Sequence, residues 1–133
     1  MNETLAYAAG IVDGEGSVML QYASGTDRFR SAVVSVASTS PELLDFLKEN
    51  FGGRIRGKPK YKDYHKDSYQ WDIRNNDAVE FLTNIRPYLR EKEKVRRTDL
   101  LLNVLRPMVR RNGKYTAEET EKRLEFERLF RGA

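Results

Sequence analysis

The chain has 133 residues, enough for one domain with a modest hydrophobic core. Charged residues make up 33% and aromatic residues 11%, a mixture that excludes a disordered chain. The chain contains no Cys and a single His, His65, so disulfides, thiolate zinc sites and His-rich nuclease centres are excluded. No apolar run is long enough to cross a membrane and no basic segment begins the chain, so we expect a soluble intracellular protein.

The net charge of +4 is unevenly distributed along the sequence. Residues 1–27 contain four acidic residues and no Lys or Arg, whereas residues 86–133 contain fourteen basic residues and eight acidic ones. This pattern suits a protein that holds a cation at one point and phosphates over a wider surface. An excess of this size is also ordinary for solubility, so charge by itself favours a nucleic-acid partner only slightly.

Periodicity predicts an alternation of helices and strand pairs. Residues 4–13 carry apolar positions at helical spacing, and residues 17–23 and 29–37 alternate in the manner of two strands joined as a hairpin. A helix over 41–51 follows, with Pro41 in its first turn. The remaining predicted elements are strands over 54–58 and 69–74 and helices over 76–89, 91–105 and 116–129.

The order of these elements predicts an α+β fold. Two strand pairs, each following a helix, favour one four-stranded antiparallel sheet with helices packed on one face. No linker or low-complexity segment divides the chain, so we expect a single domain over 1–133, with a core over 1–115 and a C-terminal helix over 116–133. The apolar residues expected to pack that last helix are Leu124, Phe126, Leu129 and Phe130.

The segment 8–16, AAGIVDGEG, combines a run of small and apolar residues with two acids that alternate with glycines. Ala and Gly allow one helix to pack very close to another, and a carboxylate flanked by glycines can approach a metal ion and a phosphate without steric hindrance. In residue class the segment resembles the LAGLIDADG motif of homing endonucleases. It has Ala8, Gly14 and Glu15 where that motif has Leu, Ala and Asp.

A second match to the same family lies in residues 81–94, FLTNIRPYLREKEK. It resembles the segment of single-motif, intron-encoded members in which an aromatic–Leu pair and a Pro–aromatic–Leu triplet precede Lys-x-Lys. On this match Lys92 corresponds to an active-site lysine that stabilises a phosphate or positions the attacking water. The alternative is a solvent-exposed helix start, which is the usual role of alternating charge. The register relative to Pro87 favours the active site. The resemblance covers residues 5–105 and implies an αββαββα fold.

In this family a single copy of the motif implies a homodimer, because one active site serves one phosphodiester and a duplex has two strands. A helix face of small residues would let two copies of the first helix pack closely. The residues of this expected interface are Ala6, Ala9, Gly10 and Asp13. The alternative is that this face packs on the protein's own core. A glycine inside a helix costs about 1 kcal/mol, so either packing would account for Gly10.

The resemblance implies a divalent metal, Mg²⁺, bound by Glu15 near the two-fold axis. Mg²⁺ prefers oxygen ligands and takes one or two carboxylates together with phosphate oxygens, which suits a chain so poor in His and Cys. Its role would be to activate water and to stabilise the leaving 3′ oxygen. We expect Mn²⁺ to substitute and Ca²⁺ to bind without supporting cleavage. Backbone carbonyls near Gly14 are further candidate ligands. Asp13 is assigned to the helix junction with metal contact left open, and Ser38 is a loose match to a position that orients water.

The sheet face without helices should lie in the DNA major groove, where a β-ribbon can read base edges. Arg and Lys suit guanine there, and Gln suits adenine. Strand alternation places the following residues on this face: Gln21, Ser31, Ser35, Arg54, Arg56, Lys58, Gln70, Asp72 and Arg74. Arg28 and Arg30 lie at a loop or strand edge and are expected to contact phosphate. An ordinary exposed face would mix acids with bases, whereas this one has four bases and one acid.

Together these features predict a homodimeric, Mg²⁺-dependent endonuclease that cuts a long, nearly palindromic double-stranded DNA target. Two alternatives have the same fold: a maturase that assists the splicing of intron RNA, and a DNA-binding regulator without cleavage. A regulator would be expected to lose the acid, whereas Glu15 and Lys92 are both present. We expect the protein to act in a prokaryotic or phage-infected cytoplasm or inside an organelle, with no membrane partner.

Overall fold

The computed structural model describes residues 2–22, 29–58, 68–108 and 115–132, without the side chain of Lys58. The helices are α1 (Asn2–Glu15), α2 (Pro41–Phe51), α3 (Asn75–Ile85), α4 (Lys92–Leu100) and α5 (Ala117–Arg131). The strands are β1 (Gly16–Gln21), β2 (Ser31–Ser38), β3 (Arg54–Lys58) and β4 (Ser68–Arg74). A 3₁₀ turn (Arg86–Tyr88) precedes α4, and a π-helical segment (Leu101–Leu105) and one further turn (Arg106–Met108) extend it.

The four strands form one antiparallel sheet in the order β1-β2-β4-β3. The two strand pairs therefore join through their second strands, β2 and β4. This confirms the predicted α+β fold with a single four-stranded antiparallel sheet. The ends of the elements differ from the prediction by a few residues; β1, for example, covers 16–21 rather than 17–23.

The hydrophobic core lies between one face of the sheet and the helices α1, α2 and α3. Val34 and Trp71 from the sheet pack there with Leu44 and Leu82 from the helices, and all four are fully buried. The indole nitrogen of Trp71 donates a hydrogen bond to the carbonyl of Gly52 at 2.8 Å, so the one polar atom of this ring is satisfied inside the core. Because α1, α2 and α3 pack on this face, they do not cover the opposite face of the sheet.

Helix α1 continues two residues beyond its predicted end at residue 13, and Gly16 begins β1 directly after it. The helix passes through Gly14, because a glycine in a helix is a modest cost and does not by itself end it. At Gly16, in contrast, the packing requires glycine. A Cβ atom there would lie 2.9 Å from the Cα of Val12, so only a residue without a side chain lets the strand begin this close to the helix.

The C-terminal helix α5 packs into the same core as the rest of the chain. Phe126 and Phe130 are buried there, and a capping box between Thr116 and Glu119 begins the helix. Its last carbonyls accept hydrogen bonds from the guanidinium of Arg96 on α4. None of the helices in the described parts of the chain has the length and apolarity that crossing a membrane requires.

Candidate functional site

The two acids near the C-terminus of α1 have different surroundings. The Asp13 carboxylate accepts hydrogen bonds from the backbone N–H of Arg90, at 3.2 Å and 3.0 Å to its two oxygens, and from that of Glu91 at 3.0 Å. Asp13 therefore anchors the segment before α4 to the end of α1, as expected for a residue at the junction of two helices. These hydrogen bonds leave a lone pair available on the carboxylate, so the metal contact and the dimer contact suggested for Asp13 stay predictions.

Glu15 lies at the exposed end of α1. Its neighbour Gly14 is exposed as well, and a Cβ atom placed on Gly14 would meet no neighbouring element of the described chain within 4 Å. The C-terminal carbonyls of a helix carry partial negative charge, so a cation is favoured at this end beside an exposed carboxylate. Within the described residues there is no group of three His, Asp or Glu side chains that could hold a metal. A metal here would therefore need oxygen ligands from outside this chain.

Two lysines flank this end of α1. The hydrogen bond from Glu91 to Asp13 places the N-terminus of α4 against it, and Lys92 is the first residue of α4 and is exposed. The Nζ of Lys94 donates to the backbone carbonyl of Asp13 at 2.6 Å. The match in sequence indicated Lys92 as the functional lysine and did not indicate Lys94. The Lys-x-Lys pair was the available signal, but spacing does not show which lysine turns toward the helix.

Ser38 ends β2 at the same end of the sheet. Gly16 pairs with Val36 across β1 and β2, so Ser38, two residues farther on, is level with the last turn of α1. Its Oγ accepts a hydrogen bond from the N–H of Ser40 at 3.0 Å and keeps its own proton for donation. Ser38 and the start of α4 therefore both lie around the α1 terminus that carries Glu15.

Charged side chains fix α4 in this position. Glu93 binds the guanidinium groups of Arg96 and Arg97, and the hydrogen bond from Arg96, followed by that from Arg97, lowers the pKa of Glu93 to about 2. Arg97 also donates to the carbonyl of Val18 on β1 at 2.9 Å. Helix α4 is thus bound at both α1 and β1, which holds Lys92 in place relative to Glu15.

The small-residue face of α1 is narrower than predicted. Ala6 and Gly10 are exposed, and a Cβ atom on Gly10 would meet no neighbouring element of the described chain within 4 Å. Ala9 is fully buried in the protein's own core. Its predicted place in a dimer interface is therefore corrected, because Ala9 shares the inward face of the helix with Val12 rather than the outward face with Gly10.

The strand register places the predicted DNA-contacting residues of the four strands on the sheet face opposite the core. Ser35 of β2 pairs with Asp72 of β4, which pairs in turn with Arg54 of β3. This sheet face carries exposed or partly exposed side chains at Gln21, Ser31, Arg54, Arg56, Gln70 and Arg74. The side chain of Lys58 lies outside the described part of the structure.

Two of the predicted contact residues on this face are buried. The side chain of Asp72 is 1% exposed and lies 3.0–3.4 Å from the guanidinium groups of three arginines, Arg54, Arg56 and Arg74. Ser35 is buried beside it. The expectation that these two side chains contact DNA is corrected, because both are buried. The three arginines cover the Asp72 carboxylate and neutralise its charge.

Arg30 is bound within the chain rather than free for phosphate. Its guanidinium donates to Glu127 of α5 at 3.0 Å, and its backbone carbonyl accepts from Arg123, which is buried with Glu127. No local sequence pattern indicates this contact, because the partners are more than ninety positions apart. Arg28, the other predicted phosphate contact, lies outside the described residues.

No protein-family model and no curated protein sequence matches the chain, but solved structures match its fold. The homing endonuclease I-CvuI in complex with a DNA target has 19% identity over 93% of this chain and 94% of that chain, with a TM-score of 0.61. The archaeal intron-encoded homing endonuclease I-Vdi141I, complexed with DNA, has 17% identity over 98% of this chain and 84% of that chain, with a TM-score of 0.65. The LAGLIDADG homing endonuclease I-GzeII, bound to its DNA target, has 15% identity over 92% of this chain but only 43% of its own, with a TM-score of 0.67. This chain has the LAGLIDADG homing-endonuclease fold.

The LAGLIDADG fold brings together the two segments that carry the resemblance in sequence. Residues 8–16 form the second half of α1 and the first residue of β1, and residues 81–94 lead from α3 into α4. The hydrogen bonds of Asp13 to residues 90 and 91 join these segments directly. The two matching segments therefore contact each other in the fold, although they are more than sixty residues apart in the chain.

Proposed function

We propose that the protein is a homodimeric, site-specific DNA endonuclease that uses a divalent cation, Mg²⁺, to cut both strands of a long, nearly palindromic target. The observation that supports this most strongly is the exposed Glu15 at the end of α1, in a fold whose sheet carries a face rich in arginine. The solved structures with this fold include homing endonucleases complexed with DNA.

The residues at the end of α1 suit a divalent cation. The Glu15 carboxylate and a carbonyl near Gly14 would hold Mg²⁺, which takes one or two carboxylates and completes its shell with water and phosphate oxygens. When bound, the ion supplies an activated water and stabilises the leaving oxygen. Lys92 would bind a phosphate oxygen from the start of α4, and Ser38 would donate its hydroxyl proton to a water or phosphate at the same end of the sheet.

Two chains are proposed because each chain contributes one such carboxylate, whereas a duplex has two strands to cut. The exposed pair Ala6 and Gly10 lies on α1 one turn apart, and the space at Gly10 would admit the helix of a second copy. The length of the I-GzeII chain agrees with a pair of such domains, since the match covers 92% of this chain but only 43% of the I-GzeII chain. A chain about twice as long has room for two such domains.

The outer face of the sheet is proposed to lie in the major groove. Arg54 and Arg56 are largely exposed there, and Gln21 lies at the far end of β1. Arginine binds guanine and glutamine binds adenine at base edges in this groove, so the face has the donors and acceptors for sequence recognition.

A cleavage selection on a library of randomised, two-fold symmetric duplexes tests this function. We expect the wild type to enrich one family of cut sequences with Mg²⁺ or Mn²⁺, and to bind that family without cutting it in Ca²⁺. Glu15→Gln should lose cleavage and keep specific binding, while Glu49→Gln, a matched change on the exposed part of α2, should cut normally. Cleavage by Glu15→Gln would contradict the role of Glu15. Specific binding without any cutting by the wild type would indicate a DNA-binding regulator, and no DNA binding would direct attention to intron RNA.

A further inference from the structure

Asp72 occupies the middle of the outer sheet face, where its buried carboxylate meets three arginines. The Nε atoms of Arg54 and Arg74 lie 3.4 Å from its Oδ1, and the Nη2 of Arg56 lies 3.0 Å from its Oδ2. The side chain of Asp72 is 1% exposed, whereas those of Arg54 and Arg56 are 60% and 49% exposed. The acid is therefore beneath the arginines, and the arginines face outward.

The strand register explains how one carboxylate reaches three guanidinium groups. Arg54 is directly opposite Asp72 on β3, Arg56 is on the same face of β3 two residues farther on, and Arg74 is on the same face of β4 two residues beyond Asp72. Cross-strand and diagonal neighbours on one face lie close enough for long side chains to meet. Without the acid, three like charges at this spacing would repel one another.

The contacts to Asp72 also determine which nitrogen atoms remain available to a ligand. Arg54 and Arg74 bind the carboxylate through Nε, and within the described residues no hydrogen bond engages their terminal nitrogens. A pair of guanidinium nitrogens matches the O6 and N7 atoms of guanine in the major groove. An arginine whose rotation is fixed by a carboxylate loses less side-chain entropy when it makes this contact.

We propose that Asp72 is a positioning residue that aligns Arg54, Arg56 and Arg74 for guanine recognition within each half of the DNA target. This rests on the proposed function, since it requires the sheet to lie on DNA. Asp72 itself touches no base. It reduces the charge of the cluster from three positive charges to two, so that the arginines select guanine by geometry rather than binding any phosphate by charge.

The test compares wild type with Asp72→Asn, which keeps the shape of the side chain and removes its charge. Binding is measured in Ca²⁺ to the duplex family that the wild type selects, and to duplexes in which each guanine is replaced in turn. We expect the wild type to discriminate about 10- to 100-fold at one to three guanines, and Asp72→Asn to lose most of that discrimination. The affinity of the variant for unrelated DNA should be equal to that of the wild type or higher. The slope of log affinity against log salt concentration should become steeper by up to about one, because one more positive charge is available to phosphate.

Two further variants make the result decisive. Asp45→Asn, the same change on an exposed residue of α2, should leave the base preferences unchanged. Arg54→Lys, which keeps the charge but loses the paired nitrogens, should lose preference at one guanine with little loss of overall affinity, and it decides the question if Asp72→Asn does not fold. Unchanged guanine preferences in either of these cluster variants would overturn the inference while leaving the endonuclease proposal intact. Absence of specific DNA binding by the wild type would overturn both.

Discussion

At the scale of single residues, Asp13 and Glu15 have different roles because they face different neighbours. In a helix, two residues that are two positions apart are separated by about 160° around the helix axis. Asp13 therefore meets the backbone N–H groups of Arg90 and Glu91, whereas Glu15 is exposed. An acid near a helix C-terminus opposes the helix dipole, and the N–H groups before α4 compensate that cost for Asp13.

The capping role of Asp13 predicts a loss of stability on substitution. We expect Asp13→Asn to lower the free energy of unfolding by about 1–2 kcal/mol, because an amide retains one acceptor oxygen and loses the charge that strengthens these hydrogen bonds. Urea denaturation measures the change. Glu15→Gln is the control and should stay within about 0.5 kcal/mol of wild type, since that side chain is exposed. Equal losses in the two variants would show that Asp13 is not the anchor.

At the scale of elements, α1 is packed on one side and open on the other. Its inner side contains Ala8, Ala9 and Val12, all fully buried, and its glycines differ according to the side they occupy. Gly16 is required inside the chain, because a Cβ atom would lie 2.9 Å from Val12. Gly10 is exposed, and within the described residues no neighbour requires glycine there.

This contrast predicts opposite effects of substitution at Gly10 on the isolated chain and on the proposed dimer. Gly10→Leu should stabilise the isolated chain by up to about 1 kcal/mol, because leucine has the higher helix propensity, and should weaken self-association by occupying the open face of α1. Thermal unfolding at low concentration and sedimentation equilibrium measure the two effects. Gly16→Ala, in contrast, should destabilise the chain by about 1–3 kcal/mol. An unchanged dimer mass for Gly10→Leu would place the interface elsewhere.

The elements could be predicted from the sequence to within a few residues, but the orientation of α5 could not. Periodicity indicated Leu124 and Leu129 as packing residues, and both are exposed, whereas Arg123 and Glu127 are buried. The reason is that the helix packs against Arg30 and Tyr115, which supply charged and polar partners for those two side chains. A pattern of apolar residues does not reveal partners of this kind.

At the scale of the whole molecule, α4 connects the candidate site with the sheet and with α5. Lys94 binds the end of α1, Arg97 binds β1, and Arg96 donates to the last carbonyls of α5. Glu93 holds both arginines in place, so one carboxylate supports contacts to two other elements. A disturbance of this group should therefore be measurable as a change in the stability of the entire domain.

The lowered pKa of Glu93, to about 2, predicts how that contribution depends on pH. Because the folded pKa lies below the ordinary value of 4.5, the contribution is fully present above about pH 4.5 and is lost as the pH falls toward 2. We expect the difference in urea midpoint between wild type and Glu93→Gln to be largest near neutral pH and to shrink over that range. Glu125→Gln, a matched change at an exposed position of α5, should show little difference at any pH. A pH-independent difference for Glu93→Gln would contradict the ion-pair origin.

The sequence by itself determined the element order, the sheet-forming strands and the segments 8–16 and 81–94, because periodicity and glycine placement are local properties of the chain. Only the tertiary structure decided that Asp13 caps the segment before α4, that Ala9 is core, and that Asp72 lies beneath three arginines. These roles depend on partners brought together by folding. Which face of an element is covered, and by what, is a property of the packed molecule rather than of the segment.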